Sequence, residues 1–222
     1  MAPKTKENEV AVGTRPVATP KSVLREYAEA LIIAVLLALV IRTFVVQAFK
    51  IPSGSMLPTL QIGDHILVNK FLYHFRPIQR GDIIVFKFPQ DESRDFIKRV
   101  IGLPGETLEV RGTQILINGQ PVKEPYAVFS DGALGSSGER DRMGPITIPP
   151  NRLFMMGDNR DHSMDSRYWG LLDEAKVKGK AFLIYFSVRS DDIPTDSSLG
   201  SVAYVLVHPS LIRWGRFGHL VE

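Results

Sequence analysis

Apolar residues are spread unevenly along this chain of 222 residues. Twelve stand together without a break in Ala30–Ile41. Thr43–Phe49 carries on mostly apolar, so Ala30–Phe49 holds a single charge, Arg42. A run of twelve suits a signal-peptide core or a buried helix, whereas about twenty suits a membrane span. A long arginine near the end of a span reaches the interface on its own stem. The pattern predicts a transmembrane anchor helix over 22–48. Before it lies a tail, 1–21, too polar and proline-rich to offset the cost of its own ordering. A cleaved signal peptide is the competing reading, because Val46-Gln47-Ala48 resembles a small-residue cleavage site. The unusually long leading region opposes it. Lys4, Lys6, Arg15, Lys21 and Arg25 precede the span, and only Arg42 and Lys50 follow it closely. That bias places the N-terminus on the cytoplasmic side and residues 49–222 on the outer side.

Beyond residue 60 the period changes to short alternating runs broken by Gly, Pro, Asp and Asn. Strands are predicted at His65–Asn69, Ile83–Phe88, Phe96–Ile101, Thr107–Arg111, Gln114–Ile117, Arg152–Met156 and Lys178–Ser187. Gly81-Asp82 and Asn118-Gly119 are turn dipeptides, the second well placed for a hairpin. No long helical period interrupts this region, so a mainly β fold is expected, an antiparallel sheet domain behind one anchor helix. Residues 130–150 read as an exposed loop or small subdomain, and Ser190–Ser201 as a second polar loop. In the last segment Leu211, Ile212, Trp214 and Phe217 interleave with Arg213 and Arg216, which suits a membrane-interface contact or a docked amphipathic helix.

Composition narrows the chemistry. A net charge of +3, scattered along the chain, argues against a nucleic-acid partner. The absence of cysteine excludes disulfides, thiolate metal sites and a cysteine nucleophile.

Three stretches carry candidate chemistry. Phe49–Leu60 holds Ser53 and Ser55 around Gly54, between Pro52 and Pro58. Proline fixes φ and extends the residue before it, so the loop should be rigid and hold Ser55 in one orientation. A surface turn uses the same residues. A serine hydroxyl needs a neighbouring base. His65, His74, His162, His208 and His219 sit in no recognised triad motif. Lys98 is the other candidate, because alternation places it on one strand face with Phe96 and Val100, where burial would lower its pKa. An edge-strand lysine guarding against aggregation is the plainer reading. Met156–Gly170 packs aspartates, arginines and serines into one hydrogen-bonding loop. Asp158, Asp161 and Asp165 could supply calcium oxygens, but their spacing does not fit an EF-hand and the arginines would compete.

Taken together, Ile51–Leu60, Gly81-Asp-Ile83, Ile97–Gly105 and Met156–Gly170 resemble bacterial signal peptidase I, peptidase family S26, in sequence and in order. The resemblance runs from the apolar segment to Ile212-Arg-Trp214. It implies a membrane-anchored serine endopeptidase of the bacterial inner membrane. Such an enzyme removes signal peptides from exported preproteins after small residues (Ala-x-Ala), as a monomer, without metal or cofactor. By position, Ser55 would be the nucleophile and Lys98 the general base. Ser53 and the Ser55 N–H would form the oxyanion hole, and Ser163 would orient Lys98. Asp158 would pair with Arg99, and Asp165 with Arg167. Ile51, Pro52, Met56, Leu60, Phe96 and Ile97 would line pockets for small side chains. The family often has tyrosine where this chain has Phe96. The rival readings are a self-cleaving protein related to stress-response repressors, which lacks a reason for the apolar segment, and a non-catalytic anchored paralogue or scaffold, whose hallmark would be loss of Ser55 or Lys98.

Overall fold

The structure, a computed structural model, describes residues 23–129, 142–189 and 204–222. The chain divides into two units, Met1–Leu39 and Val40–Glu222. Helix α1 (Val23–Val40) exposes its aliphatic side chains all round, Leu31, Ile33, Leu36 and Leu39 among them. The backbone winds on through a π-helical turn, Ile41–Val45. It then becomes strand β1 (Val46–Lys50). The helix is thus shorter than the expected 22–48. Among the described residues no helix is long and apolar enough to cross a membrane. Arg25, Glu26 and Glu29 occupy its first turns, and the apolar run beyond Val45 is spent on a strand whose backbone groups pair with a neighbour.

Among the described residues the second unit holds two sheets, and every pairing between their strands is antiparallel. The larger combines β1, β2 (Asp64–Asn69), β11 (Val177–Ser187), β3 (Ile83–Phe88), β4 (Asp91–Gly102), β9 (Arg152–Met156) and β10 (Leu172–Asp173) in that spatial order. Strand β12 (His219–Leu220) pairs with β11 off this path. The smaller runs β7 (Gln120–Pro121), β6 (Gln114–Ile117), β5 (Thr107–Arg111), β8 (Arg142–Thr147). Strand β8 falls within the stretch 130–150 that was expected to be an exposed loop or small subdomain, so its second half is not all loop; residues 130–141 of that stretch, and the polar loop at 190–201, lie outside the described residues. The Asn118-Gly119 turn closes the β6–β7 hairpin with φ of 51° and 78°, the left-handed pair that such a tight turn needs.

Alternation along β3 and β4 divides the interior. Ile83, Val85 and Ile97 pack with Ile51, Met56, Leu60, Ile66 and Val68 on one face. Ile84, Phe86, Phe96 and Val100 pack with Leu153 and Met155 on the other. A third cluster, Ile101, Leu108, Ile115, Ile148 and Phe154, holds the small sheet. In the last segment Arg216 turns inward to the buried Asp64 at 2.6 Å, while Trp214 stays 63% exposed.

Candidate active site

The loop that carries the two serines is rooted in the β1–β2 ladder. Ile51 N donates to Asp64 O (2.8 Å) and Gly63 N to Ile51 O (2.9 Å), so the ladder continues one step past β1. From there Met56 and Leu60 sink into the core, both fully buried. With these two apolar side chains drawn down, a single 3-10 turn, Gly54–Met56, sets the buried Ser55 on the border of an open groove. The expectation that Ile51, Met56 and Leu60 line a substrate pocket is corrected here: hydrophobic burial takes them beneath the loop. Pro52, Phe96 and Ile97 do reach the open groove, which also borders Ser53, Ser55, Lys98, Asn159, His162 and Met164 and measures about 660 Å³.

Lys98 approaches Ser55 from the middle of β4. Its neighbour across the ladder is Ile84, and Phe96 and Val100 share its strand face. The side chain is 4% exposed. Its Nζ lies 2.7 Å from Ser55 Oγ and donates to Ile97 O at 3.0 Å. Burial lowers the lysine pKa to about 8, against the opposing pull of the Asp165 and Asp158 carboxylates. A lysine in that range is partly neutral near pH 7, and a neutral amine accepts the serine proton across the same 2.7 Å.

Behind the pair stands the loop after β9. Asp158 takes Arg99 in two parallel bonds, Nε at 2.8 Å and Nη2 at 2.7 Å, both partners buried. Asp165 takes Arg167 Nε at 2.9 Å and Nη2 at 3.0 Å, and also receives Gly157 N at 3.1 Å. These carboxylates face guanidinium groups, which disfavours the calcium reading. Ser163 is placed differently from expectation. Its hydroxyl is buried beside Gly157 with no hydrogen-bond partner among the described residues, and Lys98 spends its donors on Ser55 and Ile97 instead.

Several residues within the same motifs have no role assigned to them from the sequence. Asn159 ties the two loops together, its N–H donating to Ser55 O (3.1 Å) and its Nδ2 to Gly54 O (3.2 Å). Thr59 Oγ1 donates to Asp158 Oδ2 at 2.5 Å. Gly157 lets the loops touch: a Cβ there would lie 2.4 Å from Ser55 O and 2.3 Å from Ser163 Oγ. Its place beside the dense polar run was the only hint. His65 packs against the tilted ring of Phe186 and its Nδ1 donates to Gly63 O (3.2 Å), an arrangement that accounts for it without chemistry.

The family model described as signal peptidase, peptidase S26, matches residues 24–186. This chain belongs to the signal peptidase family, peptidase S26. It is similar to a signal peptidase I of Leptolyngbya laminosa, 44% identical over 165 residues that cover 71% of this chain and 77% of that one. A signal peptidase I of Pseudomonas aeruginosa is 37% identical, covering 81% of this chain and 79% of its own. Signal peptidase I S of Bacillus subtilis is also 37% identical, covering 77% and 92%. The chain is accordingly a hydrolase that acts on the signal peptides of preproteins, and its family is a membrane-associated one.

Proposed function

We propose that this signal peptidase cleaves with Ser55 as nucleophile and Lys98 as general base. The observation that carries the reading is the 2.7 Å approach of a buried lysine amine to a serine hydroxyl on the wall of an open groove. Neutral Lys98 removes the Ser55 proton as the hydroxyl oxygen bonds to the scissile carbonyl carbon. Negative charge then collects on the carbonyl oxygen. The Ser55 N–H, near the start of its short turn and not used in closing it, and the Ser53 hydroxyl supply donors there; one such donor is worth about 3 kcal/mol in the transition state. The lysine ammonium returns its proton to the departing amine, and the acyl-enzyme is hydrolysed by water.

Pro52, Phe96 and Ile97 give the groove apolar walls that favour small side chains, in keeping with cleavage after Ala-x-Ala. An extended substrate gains backbone hydrogen bonds there without its sequence being read. Helix α1 and its continuation through Val45 serve as the membrane anchor, with the N-terminus cytoplasmic and the sheet domain outside. A helix apolar all round beyond Glu29 has no use for water on any side. The enzyme works as a monomer in contact with lipid, on signal peptides and not on nucleic acid.

The test is cleavage of a precursor with an Ala-x-Ala site by the wild type, Ser55→Ala, Lys98→Met and the double variant. Each single change removes nearly all activity from a folded protein, and the double variant is little worse, because groups acting as a unit are not additive. Substantial activity in Lys98→Met would overturn the assignment and direct attention to His162 on the groove wall.

A further inference from the structure

The small sheet sends its next segment back to the catalytic loop, and that return is built from buried charge. After β7 the chain runs through Glu124 and Tyr126 to Val128. There Val128 N donates to Asp158 O (2.8 Å) and Arg160 N to Val128 O (2.9 Å), a bridge centred on Asn159. The Glu124 carboxylate meets both terminal nitrogens of Arg160, at 2.7 and 2.9 Å, with the two side chains 6% and 1% exposed. Arg160 Nε in turn donates to Gly157 O at 3.1 Å. Tyr126 donates to Glu124 Oε1 at 3.1 Å and lies flat beneath Arg99, 3.8 Å from its guanidinium carbon. Residues on either side of Asn159 are thus held from the small sheet, and Asn159 itself holds Ser55 O and Gly54 O.

We infer that Glu124 is a positioning residue of the cleavage reaction, acting through Arg160 on the Gly157–Asn159 backbone and so on the orientation of Ser55. The inference rests on the Ser55–Lys98 reading above. Glu124 does not line the groove, whose walls are Pro52, Phe96 and Ile97, so its loss leaves substrate binding in place. It loosens the backbone that sets the serine against the lysine. Misplacement of a reacting group by about 1 Å costs up to 100-fold in rate. With an arginine this buried, the carboxylate and not merely the side-chain bulk is required, because removing one partner leaves an uncompensated charge.

The experiment compares the full chain in detergent micelles with Glu124→Gln, Glu124→Asp, Tyr126→Phe and, as a control, Arg152→Ala, which removes an exposed pair with Asp173. Precursor cleavage gives kcat and KM, a serine-reactive acylating probe counts competent sites, and thermal unfolding reports stability. Per competent site, Glu124→Gln lowers kcat about tenfold or more with KM within about twofold. Glu124→Asp recovers part of the loss, and Arg152→Ala changes neither constant. Unchanged kcat per competent site in Glu124→Gln, even with a lowered unfolding temperature, would reduce Glu124 to a structural role and overturn the inference. If Glu124→Gln does not fold, Glu124→Asp and Tyr126→Phe decide: a fall in kcat at constant KM in either supports positioning, and wild-type kcat in both rejects it. Ser55→Ala assayed in parallel separates the two readings, since cleavage by that variant would bring down the dyad itself.

Discussion

Replacing Gly157 by alanine tests how closely the serine loop and the loop after β9 are fitted together. The added Cβ would lie 2.4 Å from the Ser55 carbonyl oxygen, 2.3 Å from Ser163 Oγ and 2.6 Å from Ser163 Cβ. Ser163 can rotate its hydroxyl away, but the Ser55 oxygen is backbone and accepts the Asn159 N–H at 3.1 Å. Restoring an ordinary separation of 3.4 Å from 2.4 Å moves one loop against the other by about 1 Å. The displaced atom belongs to the nucleophile's own peptide, so the shift is carried to Ser55 Oγ, which must stay aligned with Lys98 Nζ. A displacement of that size is expected to lower kcat by about 100-fold. Overpacking of this kind costs about 1–3 kcal/mol in stability, which leaves the protein folded. KM changes little, because Gly157 is not among the groove walls. Steady-state cleavage of a precursor peptide, with thermal unfolding alongside, measures both quantities. A folded Gly157→Ala protein with wild-type kcat would refute the argument that these loops have no slack.

Three further outcomes follow from the same structure. With a base of pKa about 8 that works only when deprotonated, kcat/KM rises with pH to a plateau above that value and stands at about one-tenth of the plateau at pH 7; a rising limb near pH 6.5 that disappears in His162→Ala would assign the base to histidine. Asp158→Ala removes the paired carboxylate from buried Arg99 and leaves it only the Gly81 and Glu222 oxygens, at a cost of about 3–5 kcal/mol, read as a fall of about 10 °C in thermal midpoint; an unchanged midpoint would show that water or these acceptors replace the carboxylate. Tags at residues 5 and 195 in intact cells should be protected and exposed to added protease, respectively, whereas a mature protein beginning at Phe49 would overturn the anchor.

The strands were legible because alternation survives wherever one face is buried. Ile83–Phe88, Thr107–Arg111, Gln114–Ile117 and Arg152–Met156 fall where the pattern predicts them. Strand β8 was hidden by Gly144 and Pro145, residues that normally break a ladder. It lies at the edge of the small sheet, where a proline's missing N–H costs no bond. Strand β1 was hidden for the opposite reason: Val46–Lys50 is so nearly apolar that it reads as the tail of a helix, and only pairing with β2 reveals it. Within the site, the apolar neighbours of Lys98 gave away its burial. The Met56 and Leu60 side chains misled, because apolar residues beside a catalytic serine fit a substrate wall as well as a core anchor. Glu124 and Arg160 stand 36 positions apart, each in a polar stretch, and nothing local marks a buried ion pair.

The two arginine–aspartate pairs also bear on why lysine can serve as a base here. Burial lowers the Lys98 pKa, but Asp165 and Asp158 act against it, since a nearby carboxylate stabilises the ammonium. Left bare, two buried carboxylates would hold the proton on the lysine. Arg99 and Arg167 each meet one of them in paired bonds of 2.7–3.0 Å. A carboxylate bound in this way presents a dipole to its surroundings, and the field of a dipole falls with distance faster than that of a charge. The pairs therefore supply polar groups to hold the loop while weakening their pull on the lysine. Hydrophobic residues in the same places would have removed the pull altogether, but they would have left without acceptors Gly157 N, which Asp165 holds within the loop after β9, and Thr59 Oγ1, through which Asp158 ties that loop to the serine loop. On this account the ion pairs are retained for geometry, and the arginines are what makes that geometry compatible with a lysine that loses its proton near pH 8.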